Sequence, residues 1–337
     1  MTNHNPGLTC AENSTLWVLY LNNSMTTCVL RYFLESVQDL EIRKVIAKAY
    51  DIATNNENEL KAVYWKEQLP LPIGFSENDV NLKAPKLFSD TFMLAYILQM
   101  AKVGLVTYGA SLGSVARKDI RKLYSAFLQR TMDLYEDTTE ILLNKGLYLK
   151  KPYSVNPRKA ELVDDHKYFS GVNPFVSKRP LNTIEVTHLC LNIETNQIGK
   201  ELCTAFSQTA VQAEVREFMK KGKQLAYSHI KSFIELLMKD DIQTPLSADI
   251  SITDSTIPPF SDKLMMFHIS LMVAAGIGNY ATASSASQRT DIAFNYEKLS
   301  SESALLAKSG ADIMVTHRWM EKPPSTADRD VLSKKRE

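Results

Sequence analysis

A glutamate and a histidine three residues apart share one face of a helix and can hold a metal ion together, and Glu185-Val-Thr-His188 has that spacing. Carboxylate-bridged di-metal centres need two such pairs and two more glutamates around one point in a helical core. This chain has one Glu-x-x-His; no glutamate stands three residues before His229, His268 or His317. Glu185 also has a structural reading, because Asn182-Thr-Ile-Glu185 is a capping box, in which the N3 acid reaches back to the N-cap. The sequence therefore assigns no metal ligand, no cofactor-binding residue and no catalytic residue.

Charged pairs are the next candidates. Arg117-Lys-Asp119 returns as Arg289-Thr-Asp291, in each case ahead of an isoleucine. An Arg and an Asp two apart on a helix point in different directions. The arginines are therefore expected to pair with Asp90 and Asp262, pinning the turn before the fourth helix of each copy, with an anion site as the sharper alternative. Tyr108, Tyr124, Tyr280 and Tyr296 are expected around the same corner. His268, in the most apolar stretch, reads as a buried histidine with a hydrogen-bond partner, or as a ligand or pH-sensing group. Asn23 and Asn196 fall on apolar helix faces, where a buried asparagine fixes register. GASLGS at 109–114 lacks the Lys-Ser/Thr of a phosphate loop and reads as a turn. Four cysteines without tight spacing read as reduced, mostly buried thiols.

These residues recur because the chain repeats. Residues 88–124 and 260–296 share 12 identities in 37 ungapped positions, 172 apart; chance gives about two. Phe88-Ser89-Asp90, Met93, Ile97, Met100, Gly104 and Tyr108 return as Phe260-Ser261-Asp262, Met265, Ile269, Met272, Gly276 and Tyr280. Upstream the offset is 173, with Glu41-Ile-Arg43 against Glu214-Val-Arg216 and Pro72 against Pro245. Downstream it is 171, with Lys151-Pro152 against Lys322-Pro323.

Each copy reads as four helices. Thr9-Cys-Ala-Glu12 and Asn182-Thr-Ile-Glu185 cap the first. The second spans about 40–67 and 212–240, and proline stops it. Ser89 and Ser261 cap the third, at 89–111 and 261–284, with Asp90 and Asp262 at the positive end of its dipole. Gly104 and Gly276 inside it suggest close packing of a neighbouring helix. The fourth spans about 116–145 and 288–315. No segment alternates as a strand does, so the fold class is all-α: two tandem four-helix bundles. The expected units are 10–152 and 181–324, joined by a proline-containing surface linker at 153–180 and followed by a disordered tail at 325–337. If the copies dock, a chain ending near residue 152 would fold with an exposed apolar face.

A formal net charge of +1 argues against nucleic-acid partners, and 45% hydrophobic with 23% charged residues is an ordinary globular composition. The N-terminus has no signal-peptide pattern, and the 15-residue apolar window at 264–278 is short for a membrane span.

Gly74-Phe75, Asp79-Val80-Asn81, Phe88-Ser89-Asp90, FSDKLM at 260–265, Arg289-x-Asp291 and Trp319-x-Glu321-x-Pro323-Pro324 together resemble an uncharacterised family of spore-forming bacilli. That family is distantly similar to the spore coat protein F group. The resemblance covers about 10–324 and implies tandem ferritin-like bundles and spore association; it implies no catalytic residue and no cofactor. The expected function is that of a non-enzymatic structural or interaction protein of the cytoplasm, forespore or spore, with an unknown protein partner. The alternatives are a ferritin-like metal-binding protein or di-metal oxidoreductase, and a small-molecule binder at the junction of the bundles.

Overall fold

The structure is a computed structural model and describes residues 7–173, 175, 177–244 and 251–334. Eight long helices follow one another in two matching sets. The first is α1 (Cys10–Ser36), α2 (Leu40–Lys66), α3 (Asp90–Ser114) and α4 (Lys118–Asn144). The second is α5 (Thr183–Thr209), α6 (Ala213–Met238), α7 (Asp262–Ala286) and α8 (Thr290–Thr316). Each set is two hairpins, α1 on α2 and α3 on α4 in the first, packed face to face. Among the described residues there is no strand, only two isolated antiparallel bridges. The chain is a tandem repeat of helical bundles.

The ends of the helices are written locally. Thr9 with Glu12, and Asn182 with Glu185, form the expected capping boxes. Ser89 and Ser261 each accept an N–H three residues on, from Phe92 and Leu264. The second and fourth helices of both units end on a left-handed residue: Gln68, Gly146, Asp241 and Arg318. That conformation lets the following N–H reach back to the last turn, as Leu147 does to the Leu142 carbonyl at 2.8 Å. Helix α3 runs on to Ser114, so GASLGS is helical rather than a turn: Ala110, Ser111 and Leu112 carry the helix between the two glycines, and Ser111 is buried. Pro245, the expected match of Pro72, lies outside the described residues.

The two units share one core, and a pseudo-two-fold axis relates them. The connection after α2 and the connection after α6 run antiparallel, bridging Val80 to Phe260 and Phe88 to Ile252. Adding 172 to one bridge generates the other with partners exchanged, as a true two-fold requires. The hydrogen bonds obey the same rule. Asn81 N–H donates to the Pro259 carbonyl at 2.8 Å and Thr253 N–H to Leu87 at 2.9 Å; Ser261 N–H donates to Asp79 and Ser89 N–H to Ser251, both at 3.0 Å. Beneath these bridges, Phe88 stacks on Phe92 at 4.7 Å and Phe33 meets Phe88 at 5.6 Å, while Phe260 packs on Tyr32 at 5.3 Å and Phe206 at 6.1 Å. Phe88, Phe92 and Phe206 are fully buried; each such ring stabilises by about 1.5–3 kcal/mol.

Helices α3 and α7 are long and apolar enough, by length and composition, to cross a membrane. The 15-residue window read from the sequence therefore understates α7, which is 25 residues long. In this fold their N-terminal halves fill the shared core, with Met93, Ile97, Met265 and Ile269 buried. Gly104 is a close approach, since a Cβ there would sit 3.0 Å from Thr131 on α4. Gly276 is not: a Cβ there would meet nothing within 4 Å, because the neighbouring wall recedes into a cavity.

The stretch between the units is mostly exposed coil with one 3-10 turn at His166–Phe169. It is fastened at its far end, where Gly171 lies against Asp291 with no room for a Cβ and Arg179 clamps Glu185. Beyond α8 the tail was expected to lack structure; residues Arg329–Lys334 form a short exposed helix, α9, and 335–337 lie outside the described residues.

Candidate functional site

The polar groups that the sequence singled out fall into three places: the turns, the two bundle centres and the axis. At the turns, the expected pairing of Arg117 with Asp90 does not occur. Helix α3 separates them, and 25 residues span about 37 Å. Arg117 instead grips its own Asp119 through two hydrogen bonds of 2.9 and 2.7 Å, and Glu67 at 2.7 Å. Helical spacing does not govern this pair because Arg117 is the N-cap, with an extended ψ of 128°, and its side chain turns along the helix rather than radiating from it. Arg289 does the same with Asp291 at 3.0 Å, and pairs with Asp240 at 3.6 Å instead of Asp262. Asp90 and Asp262 take up a different task. Asp90 accepts the N–H groups of Gln38 and Asp39, and Asp262 those of Val211 and Gln212, anchoring the first interhelical turn of each unit.

The α3–α4 turn is held by a residue whose sequence signature is that of a cap alone. Glu12 is 1% exposed and accepts from Ala116 N–H at 3.1 Å and Arg117 N–H at 2.9 Å as well as closing its capping box. Glu185 repeats this with Gln288 and Arg289, and adds the two-pronged contact with Arg179. Burial pushes the Glu12 carboxyl up, but the hydrogen bonds from Thr9, Arg117 and Ala116 outweigh it and hold its pKa at about 2. Both oxygens of Glu185 are thus committed to these donors. His188, partly buried, is lowered by that burial and joins no acid cluster. Among the described residues no group of three His, Cys, Asp or Glu side chains could hold a metal ion.

Because Asp90 and Arg117 belong to separate networks, their effects should add. Asp90→Ala and Arg117→Ala are each expected to destabilise the chain. The double variant should match the sum within about 0.5 kcal/mol in urea unfolding. A coupling well above that would restore the direct pair.

At the centre of each unit a tyrosine from the third helix carries a polar chain. Tyr108 donates to Asn23 Oδ1 and accepts from Asn56, both at 3.3 Å; Asn56 Oδ1 in turn accepts from Arg130 at 2.8 Å. In the second unit Asn196 donates to Tyr280 at 2.8 Å, the Tyr280 hydroxyl meets His229 Nδ1 at 2.9 Å, and His229 Nε2 meets Glu302 at 3.1 Å. Burial lowers the His229 pKa and Glu302 raises it, with burial prevailing. The four tyrosines do flank the turns before the fourth helices: Tyr124 and Tyr296 stand early in α4 and α8, Tyr124 2.9 Å from Thr15, and Tyr108 and Tyr280 lie late in α3 and α7, with Tyr280 packed on Tyr296 at 5.9 Å. Asn56 is not among the residues singled out above, and His229 enters there only as a histidine with no glutamate three residues before it. Their signal was available: each is a polar residue on the buried stripe of its helix, and the 173-residue offset makes them equivalent.

On the axis itself stands His268, whose first-unit counterpart is Tyr96. Their rings meet edge to face at 5.6 Å, with the Tyr96 hydroxyl 3.0 Å from His268 Nε2. His268 is the buried, hydrogen-bonded histidine expected, and burial lowers its pKa to about 4, so it is neutral. Its Nδ1 is buried without a partner. Beside the pair lies a cavity of about 140 Å³, walled by α1 to α4 and by Thr195, Ile198, Leu271 and Met272 of the second unit. A smaller cavity of about 70 Å³ occupies the matching place near His229 and Gly276.

No curated protein matches the chain. Among solved structures it is similar to one from Bacillus halodurans provisionally described as a spore coat protein. The identity is 19%, with 44% of this chain and 98% of that one covered, and a TM-score of 0.42. The profile of a family described as proteins of unknown function, DUF3231, matches residues 1–160 and again 169–332. With one match to each half of the pseudo-two-fold, and nearly every residue inside one or the other, the chain belongs to the DUF3231 family and carries its unit twice.

Proposed function

We propose that this is a non-enzymatic structural or interaction protein acting in the sporulating cell, each unit a ferritin-like bundle of two hairpins joined by a long crossover. One observation carries this reading. All but one of the segments on which the resemblance to a spore-forming family rests join the two units rather than forming a reaction centre, the exception being Arg289-x-Asp291, which holds the α7–α8 turn. Gly74, at a positive φ of 58°, passes so close to Ser24 that a Cβ would sit 2.8 Å from its hydroxyl. The Gly74 carbonyl accepts from Lys263 at 2.6 Å, and Ile73 and Gly74 N–H groups donate to Glu321 of the Trp-x-Glu motif. Phe75 packs on Phe267 at 5.0 Å, and Asp79 accepts from the Ser261 hydroxyl at 2.7 Å.

The bundle centres support the same reading. Where ferritin-like enzymes converge carboxylates and histidines, the first unit converges two amides and a phenol. The second unit builds the equivalent chain with different chemistry, His for Asn56 and Glu302 for Arg130. A register-setting role tolerates that exchange and a shared reaction does not.

A fluorescent fusion followed through sporulation of a spore-forming host is expected to collect at the forespore or coat. Native mass spectrometry of the untagged chain is expected to give no mass increment for bound metal. Diffuse fluorescence at every stage would remove the spore assignment, and one or two stoichiometric metal ions would replace the non-enzymatic reading with the metal-binding one.

A further inference from the structure

The cavity beside the axis has a property that a packing defect lacks: one wall offers a buried polar atom with nothing to bond. Its other deeply buried polar groups are paired, while Asn22, Thr26 and Thr107 at its edge are only partly buried. Asn23, Asn56 and Tyr108 satisfy one another, and Gln99 donates to Thr195 at 3.1 Å. Several buried side-chain atoms lack a partner among the described residues, but of these residues His268 is the one that lines the cavity. Its Nδ1 is not a flaw of the axis contact, because that contact uses the other nitrogen.

The proton can be placed by elimination. The Tyr96 hydroxyl has one neighbour able to accept its hydrogen, Nε2 of His268. If the phenol donates there, neutral imidazole carries its single proton on Nδ1. The buried atom is then an N–H donor on the cavity wall. An unpaired buried donor costs about 1–3 kcal/mol, so an acceptor supplied there is rewarded. The remaining wall is largely aliphatic, with Leu19, Ile52, Met100, Leu134 and Met272 among its residues. A cavity of about 150 Å³ in an apolar core accommodates benzene. Neutral imidazole gives an anion no compensating charge, and a buried bare charge is strongly disfavoured.

We propose that this cavity binds a small neutral molecule, of the size of a substituted benzene, through one carbonyl or ether oxygen that accepts the Nδ1–H of His268. The site draws walls from both units, so it exists only when they are docked. It goes beyond the structural reading above and does not depend on it.

Acetophenone and ethylbenzene share ring and bulk, and only the ketone has an acceptor. In calorimetric titration of the full chain, acetophenone is expected to bind with one-to-one stoichiometry and about tenfold more tightly than ethylbenzene. In chain labelled with 15N at histidine, the His268 Nδ1 resonance should move on adding acetophenone and stay in place with ethylbenzene. His268→Phe should bring the two affinities together, and Ala275→Leu, which fills the cavity from α7, should weaken both about tenfold. The proposal is overturned if neither compound binds the wild-type chain. It is equally overturned if the preference for acetophenone survives His268→Phe, or if Ala275→Leu leaves binding intact. Should His268→Phe fail to fold, the wild-type preference and the Nδ1 shift decide: equal affinities or an unmoved resonance overturn it.

Discussion

Glu185→Ala will destabilise the folded chain by about 3–5 kcal/mol, the largest effect expected of any single side chain outside the aromatic core. Five donors converge on this one carboxylate: the N–H groups of Asn182, Gln288 and Arg289, and both prongs of Arg179. Truncation leaves a guanidinium that is largely buried and three backbone groups without an acceptor at once, and each orphan costs more than the bond itself contributes. The measurement is urea unfolding followed by circular dichroism. A loss under about 1 kcal/mol, typical of an exposed pair, would mean that the turn closes without it.

The same arrangement predicts an acid dependence through Glu12. Its pKa falls from 4.5 in the unfolded chain to about 2 in the folded one. A depressed carboxyl contributes stability that is complete above the unfolded value and drains away as pH falls through the folded value. The window is therefore pH 4.5 down to 2, and the gap is worth about 3 kcal/mol. Glu12→Gln should flatten that part of the stability profile and leave the neutral-pH side parallel to wild type. An unchanged slope in the variant would reassign the acid sensitivity to other groups.

The second large effect concerns the chain cut in half. Residues 1–160 alone are expected to form a stable dimer, with a mass by light scattering twice that of the fragment. The two-fold relation is the reason. Every bridge between the connections pairs a position with the counterpart of another position, so two copies of the first half can make both bridges to each other. The contacts are main-chain hydrogen bonds, indifferent to side-chain identity. The side chains beneath them also suit, since Phe260, Met265 and Ile269 have Phe88, Met93 and Ile97 as equivalents. Asn81→Pro removes the donor that meets the Pro259 carbonyl and should return the fragment to a monomer or to aggregates. A monodisperse monomer of the unmodified fragment would show that the units are independent.

Much of this fold is legible in the sequence because its signals are local. Capping boxes at Thr9 and Asn182, serines before α3 and α7, and an unbroken apolar run through both helices each depend on a few adjacent residues. The repeat multiplied their weight by presenting every signal twice. The partners of Arg117 were not legible. Spacing rules apply inside a helix, and this residue stands one step outside it, where ψ alone decides where the side chain goes. Nor were the crossed connections, since bonds such as Asn81 to Pro259 leave no periodicity in either segment. The bundle centres fall between the two. Asn23 and Asn196 announced themselves as polar residues on apolar faces, yet their bonding to Tyr108 and Tyr280 needed the third helix set at its true angle.

The crossed connections also have a consequence for the chain as it is made. A ribosome delivers Asp79 to Ser89 well before it delivers Ser251 to Ser261, and the 172 residues between them take roughly 10–30 seconds to translate. Throughout that delay the main-chain groups of Asp79, Asn81, Leu87 and Ser89 that bond the second unit wait unpaired, beside neighbouring nascent chains on the same message that offer an identical extended edge. Glu77, Lys83 and Lys86 border that edge, the last already tied to Asp90 at 2.5 Å. Charges so placed discourage the wrong chain from docking. The second unit, once made, competes for the same edge at the high local concentration that a tether guarantees. Duplication within one message thus turns an encounter between strangers into a race that the chain's own second half is positioned to win.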